Sequence, residues 1–89
     1  MSKVAELKIA VDESILVSLK EGKQKFVREM LLNNAITLYR KRKLSLGKAA
    51  ELAGLDRIDF IKELKYEGEY IFDYDDEMID EMIEGANLP

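Results

Sequence analysis

With 89 residues the chain is long enough for one small domain, and it contains neither cysteine nor histidine. Disulfides, thiol nucleophiles, thiolate metal sites and histidine acid–base chemistry are thereby excluded. The formal net charge of −4 hides a gradient: residues 1–44 carry ten Lys or Arg against five Asp or Glu, residues 45–68 four against five, and residues 69–89 none against eight, so a polyanionic partner is expected at the front and a basic one at the tail.

No apolar run approaches the roughly 18 residues of a membrane helix, and the opening MSKVAELKIAV lacks the apolar core of a signal peptide. A soluble, cytoplasmic protein is expected. Val4–Val11 alternates, with Leu7, Ile9 and Val11 on one side and Glu6, Lys8 and Ala10 on the other, which predicts a half-buried strand. Asp12 then caps a short helix with Ile15, Leu16 and Leu19 inward and Gly22 at its end. The longest helix is predicted over about residues 23–43. Its buried stripe is read as Val27, Met30, Leu31, Asn34, Ala35 and Leu38, flanked by Phe26 and Tyr39, and Arg40–Lys43 complement the negative end of its dipole. Strand, short helix and long helix is also the order of a ribbon-helix-helix dimer, but Glu6 and Ala10 suit pairing between copies better than base readout.

Ser45 caps the next helix, which places Leu46, Ala49, Ala50 and Ala53 on one face. Gly54 turns the chain, and Asp56 caps a further helix with Phe60, Ile61 and Leu64 inward and Gly68 at its end. Small alanines at the crossing and a glycine that accepts positive φ are what a helix-turn-helix over residues 45–67 requires. The second helix then offers Arg57, Ile58, Ile61, Lys62 and Lys65 to a major groove. Arg57 suits a guanine edge. Lys62, Lys65, Lys48, Arg42 and Lys43 suit phosphates. Against this stand Asp56, Asp59, Glu63 and Glu67 on the same helix, which phosphates would repel. A helix pair that merely packs is the competing reading.

Glu69–Tyr74, EYIFDY, is β-branched and aromatic and reads as a short strand. Asp75–Gly85 spaces Met78, Ile79, Met82 and Ile83 as the apolar stripe of an acidic helix, followed by a frayed end at Asn87, Leu88 and Pro89. The expected fold is mainly α within an α+β class: a strand and helical core over residues 1–68, then an acidic strand-helix tail over 69–89. The tail is a candidate partner-binding arm through Tyr70, Ile71, Phe72, Tyr74, Met78, Ile79, Met82 and Ile83; packing on the protein's own core is the alternative. Asp73, Asp75, Asp76, Glu77 and Asp80 lack the glycine and terminal glutamate of a calcium loop, so no metal and no cofactor is expected. No paired-carboxylate or phosphate-loop pattern stands out, and an enzyme is not expected.

The stretch LYRKRKLSLGKAAELAGLDRIDFIKEL resembles the hallmark of the small prokaryotic uncharacterised protein family 0175. The matching positions are Leu38, Tyr39, Leu44 through Leu55, Arg57 and Phe60, and the acidic ending is similar too. The resemblance implies a helix-turn-helix protein of a kind often taken for an antitoxin encoded beside a PIN-domain ribonuclease toxin; together with the Leu44–Ile61 motif and the basic front it gives the expectation of a homodimer on operator DNA, and no membrane partner is expected. Many relatives carry an aromatic residue after the motif arginine, where this chain has Ile58.

Overall fold

The computed structural model describes residues 3–87. They form five helices: α1 (Glu13–Leu19), α2 (Lys23–Arg40), α3 (Leu46–Ala53), α4 (Arg57–Tyr66) and α5 (Asp76–Asn87). Leu88 and Pro89, read above as a frayed end, lie outside the described residues.

Neither expected strand forms, and the described residues are all-α rather than α+β. A strand needs a neighbour to take its backbone N–H and C=O groups. Residues 3–12 have none, and Val4, Leu7 and Ile9 point into solvent. Residues 69–75 instead bend over the helices, and the Phe72 N–H is taken by the Tyr39 hydroxyl at 2.8 Å. Their β-branched and aromatic character serves packing, since Ile71 is buried.

The helix boundaries follow local chemistry. Asp12, Ser45 and Asp56 each accept a backbone N–H in the first turn of the helix they open. Gly54 (φ 73°) closes α3, and Gly68 (φ 71°) lets the Glu69 N–H return to the Leu64 carbonyl at 2.9 Å, closing α4. Two endings differ from expectation. Lys20, not Gly22, takes the left-handed conformation after α1 (φ 56°), and Gly22 is the N-cap of α2 at φ −78°. Helix α2 stops at Arg40 rather than Lys43, because Arg42 adopts φ 60° and the Lys43 N–H folds back to the Leu38 carbonyl at 2.8 Å.

The core is one cluster built from α2, α3, α4 and the tail. Phe60, Ile61 and Leu64 of α4 are fully buried between Ala35, Ile36 and Tyr39 of α2, Leu46, Ala49 and Ala50 of α3, and Ile71 and Ile79 of the tail. The buried row of α2 is thus Leu32, Ala35, Ile36 and Tyr39, about one residue around from the expected stripe. Val27 and Asn34 are exposed. The displacement has a plain cause: α3 packs on the C-terminal half of α2, and its contact sets the inward face there. Helix α1 buries no residue, so Ile15 and Leu19 face solvent. In α5, Ile79 is buried and Met82 and Ile83 pack against the core, while Met78 points out. The acidic tail therefore continues the core.

Candidate nucleic-acid interface

Three elements bring four of the expected DNA-facing cations to one surface. Arg42 and Lys43 come from the turn that ends α2, Lys48 from the first turns of α3, and Arg57 from the first position of α4. A cleft of about 400 Å³ is lined by Ser45, Lys48, Glu51, Leu55, Asp56 and Arg57 among others. A second, of about 190 Å³, is lined by Arg42, Lys43, Ser45, Phe72 and Asp73 among others. Ser45, the N-cap of α3, belongs to both, so the two clefts adjoin there and their cations make up a strip interspersed with Glu51, Asp56 and Asp73. The tight α3–α4 corner depends on the buried Ala49 and Ala50 and on Gly54 in the left-handed region.

The arginines are held in place. The Arg57 guanidinium lies across α3 so closely that a Cβ on Gly47 would meet its Nη2 at 3.0 Å. Its Nη1 donates to the Tyr74 hydroxyl at 3.3 Å. Arg42 occupies the position where a helix ending of this kind favours glycine, and its guanidinium stacks over the Phe72 ring, 4.6 Å from the centroid. Lys48 pairs with Glu51 at 3.2 Å, both well exposed, an ion pair of little energetic weight.

The remaining expected contacts lie elsewhere. Lys65, near the end of α4, is ion-paired with Asp80 of α5, and that bond raises its pKa above the ordinary lysine value. It lines a cleft of about 660 Å³ together with Tyr70, Tyr74, Asp75, Asp76 and Asp80. Ile58 and Lys62 are half-buried on α4. Ile61, offered above as a groove-facing residue, is fully buried, because it lies on the α4 face that packs with Phe60 and Leu64. Of the expected partner-binding residues, Ile71 and Ile79 are core, Tyr74, Met82 and Ile83 are half-buried, and Tyr70, Phe72 and Met78 are exposed.

Tyr39 is the residue that sequence reasoning undervalued. It is 3% exposed, and its ring meets Phe60 edge-on. Its hydroxyl donates to Asp73 Oδ2 at 2.8 Å and accepts the Phe72 N–H at 2.8 Å. Burial, and next the bond to the Asp73 carboxylate, push its pKa up to about 12. The signal available was general: a tyrosine on a core-facing row must find a partner for its hydroxyl.

Among the described residues no helix is long and apolar enough to cross a membrane. The sequence model of the uncharacterised protein family UPF0175 matches residues 1–87, and the chain belongs to that family. No curated protein and no solved structure matches it.

Proposed function

We propose that this UPF0175 protein is a DNA-binding regulator whose α3–α4 helix pair docks on duplex DNA. The observation that supports the reading most is the cationic strip of Arg42, Lys43, Lys48 and Arg57 around the Ser45 cap. Its four charges come from three elements and outnumber by one the Glu51, Asp56 and Asp73 carboxylates that line the same clefts, so the surface is weakly basic even though α4 also carries Asp59, Glu63 and Glu67. In this reading Arg57 addresses base edges and the other three address phosphates. The protein acts as a homodimer reading two half-sites; sedimentation velocity checks that state.

The test is a salt titration of binding to duplex DNA taken from upstream of the protein's own coding sequence. Three phosphate-facing cations per protomer give a slope of log K against log salt of about −3 per protomer, or about −5 for the dimer. No binding at about 20 mM salt, or affinity indifferent to salt, removes the reading.

A second reading, a protein–protein adaptor, is favoured by Tyr70, exposed at 72% in a cleft that Asp75, Asp76 and Asp80 also line, and by Met78, exposed at 47% on α5. An exposed aromatic in an acidic cleft and an exposed methionine on an acidic helix suit a basic protein surface. On this reading the tail neutralises a PIN-type ribonuclease, the antitoxin role that the family resemblance implies. Tyr70→Ala with Met78→Ala then abolishes complex formation with the purified nuclease while leaving the fold intact; retained binding refutes it.

A further inference from the structure

We infer that residues 72–74 form a strap across the cationic strip, so that the free protein covers part of its own DNA-facing surface. The inference rests on the DNA-binding reading above. Three kinds of contact carry it. The Phe72 ring lies under the Arg42 guanidinium at 4.6 Å. The Tyr74 hydroxyl accepts from Arg57 Nη1 at 3.3 Å. The Asp73 carboxylate lines the same cleft as Arg42 and Lys43. A ring stacked on arginine, an anion beside two cations and a hydroxyl acceptor are the groups a nucleic-acid strand presents to such a surface. Strap and DNA therefore compete for the same donors.

The geometry permits the strap to lift without moving its buried anchors. Ile71 and Ile79 flank residues 72–78; between them Phe72 and Asp73 are exposed, and only Tyr74, half-buried at the core's edge, has to leave a packed position. The polar latch on the strap is Tyr39, whose hydroxyl binds the Phe72 N–H and the Asp73 carboxylate at 2.8 Å each, beside the ring contacts of Phe72 with Tyr39 (5.5 Å) and Tyr70 (5.0 Å) and the packing of Tyr74. Once lifted, both strap groups return to water, while Arg42 and Arg57 become available to phosphates and bases.

Tyr39→Phe is the informative substitution, because it removes both bonds without changing net charge and keeps the ring against Phe60. Binding is measured by fluorescence anisotropy on a labelled mixed-sequence duplex of about 20 base pairs, two half-sites long, with folding followed by circular dichroism. A folded Tyr39→Phe chain should bind about tenfold more tightly than the wild type, as expected for loss of two restraining hydrogen bonds. A folded variant that binds equally or more weakly overturns the strap. If Tyr39→Phe does not fold, Asp73→Asn against Glu84→Gln decides, since both remove one carboxylate but only the first lies in the strap. A larger gain for Asp73→Asn supports the inference, and equal gains overturn it. Failure of the wild type and every variant to bind at low salt refutes the DNA-binding reading and takes the strap with it.

Discussion

Arg42→Gly separates what Arg42 does for the backbone from what it does for DNA. Its φ of 60° is left-handed, which costs an ordinary residue about 1–2 kcal/mol and glycine almost nothing. Against that relief stand the extra freedom of a glycine in the unfolded chain, about 0.4–1 kcal/mol, and the lost stack on Phe72, about 0.5–1 kcal/mol at an exposed site. The terms nearly cancel, so thermal unfolding by circular dichroism should shift by no more than about 5 °C. DNA binding should respond quite differently. Losing one phosphate-facing cation makes the salt slope shallower by about 0.9 per protomer bound, equivalent to at most about eightfold in affinity per protomer at 0.1 M salt. The slope is the diagnostic quantity, because loosening the strap raises affinity while the number of neutralised phosphates still falls. Arg42→Lys keeps the charge and should keep the slope. An unchanged slope in Arg42→Gly would mean that Arg42 stands away from the DNA. A fall in melting temperature well beyond 5 °C would mean that the strained turn is kept for stability alone.

Gly47→Ala should leave folding unchanged or improve it by up to about 1 kcal/mol, since alanine is the better helix former, yet weaken DNA binding several-fold, because the new Cβ crowds Arg57 Nη2 at 3.0 Å; equal affinity in anisotropy titrations would show that the guanidinium position is irrelevant. The Tyr39 pKa of about 12 lies above an unfolded value near 10. Its contribution to stability is therefore fully present below pH 10 and is lost as pH rises toward 12, by about 2–3 kcal/mol. Urea unfolding between pH 9 and 12, a range set by those two values, should show a smaller decline for Tyr39→Phe than for the wild type, and parallel declines contradict the assignment. Ile79→Ala deletes a side chain only 4% exposed and should cost about 2–5 kcal/mol, whereas Met78→Ala, on the outer side of the same helix, should cost well under 1 kcal/mol. Equal losses in chemical denaturation would show that α5 does not dock through Ile79.

The local punctuation of this chain was legible because it acts over three or four residues. Ser45, Asp56, Gly54 and Gly68 do in the structure what their side chains, or lack of them, dictate. The rotation of α2 was not legible. Val27, Leu31 and Leu38 recur at helical spacing as well as Leu32, Ile36 and Tyr39 do, and only the packing of α3 selects the second row. The expected strands fail for a related reason: alternation at Leu7, Ile9 and Val11 describes a residue pattern, while a sheet requires a second strand that the described residues do not supply. In the candidate site, the cations could be picked out by type, but their convergence could not. It depends on a left-handed arginine where glycine is the usual choice, and on a tail that returns to the helices through Ile71 and Ile79.

The charge gradient of the sequence acquires its meaning from that return. Eight carboxylates and no cations in residues 69–89 would, on a free arm, act only as a distant repulsive field toward DNA, screened beyond about 10 Å at ordinary salt. Docked as they are, Glu69 meets Arg40 at 3.4 Å, Asp73 enters the cleft of Arg42 and Lys43, and Asp80 pairs with Lys65. The first two contacts place anions at cations that the basic front of the chain supplies, and the third places one at Lys65 of α4. The acidic residues of α4 then weigh less against a DNA-binding reading than the sequence suggested, because the strip is built from the ends of α2, α3 and α4 rather than from one helix face. Competition for that strip comes from the tail, at Phe72, Asp73 and Tyr74, so the electrostatic question for this protein is how often residues 72–74 lift rather than how acidic α4 is.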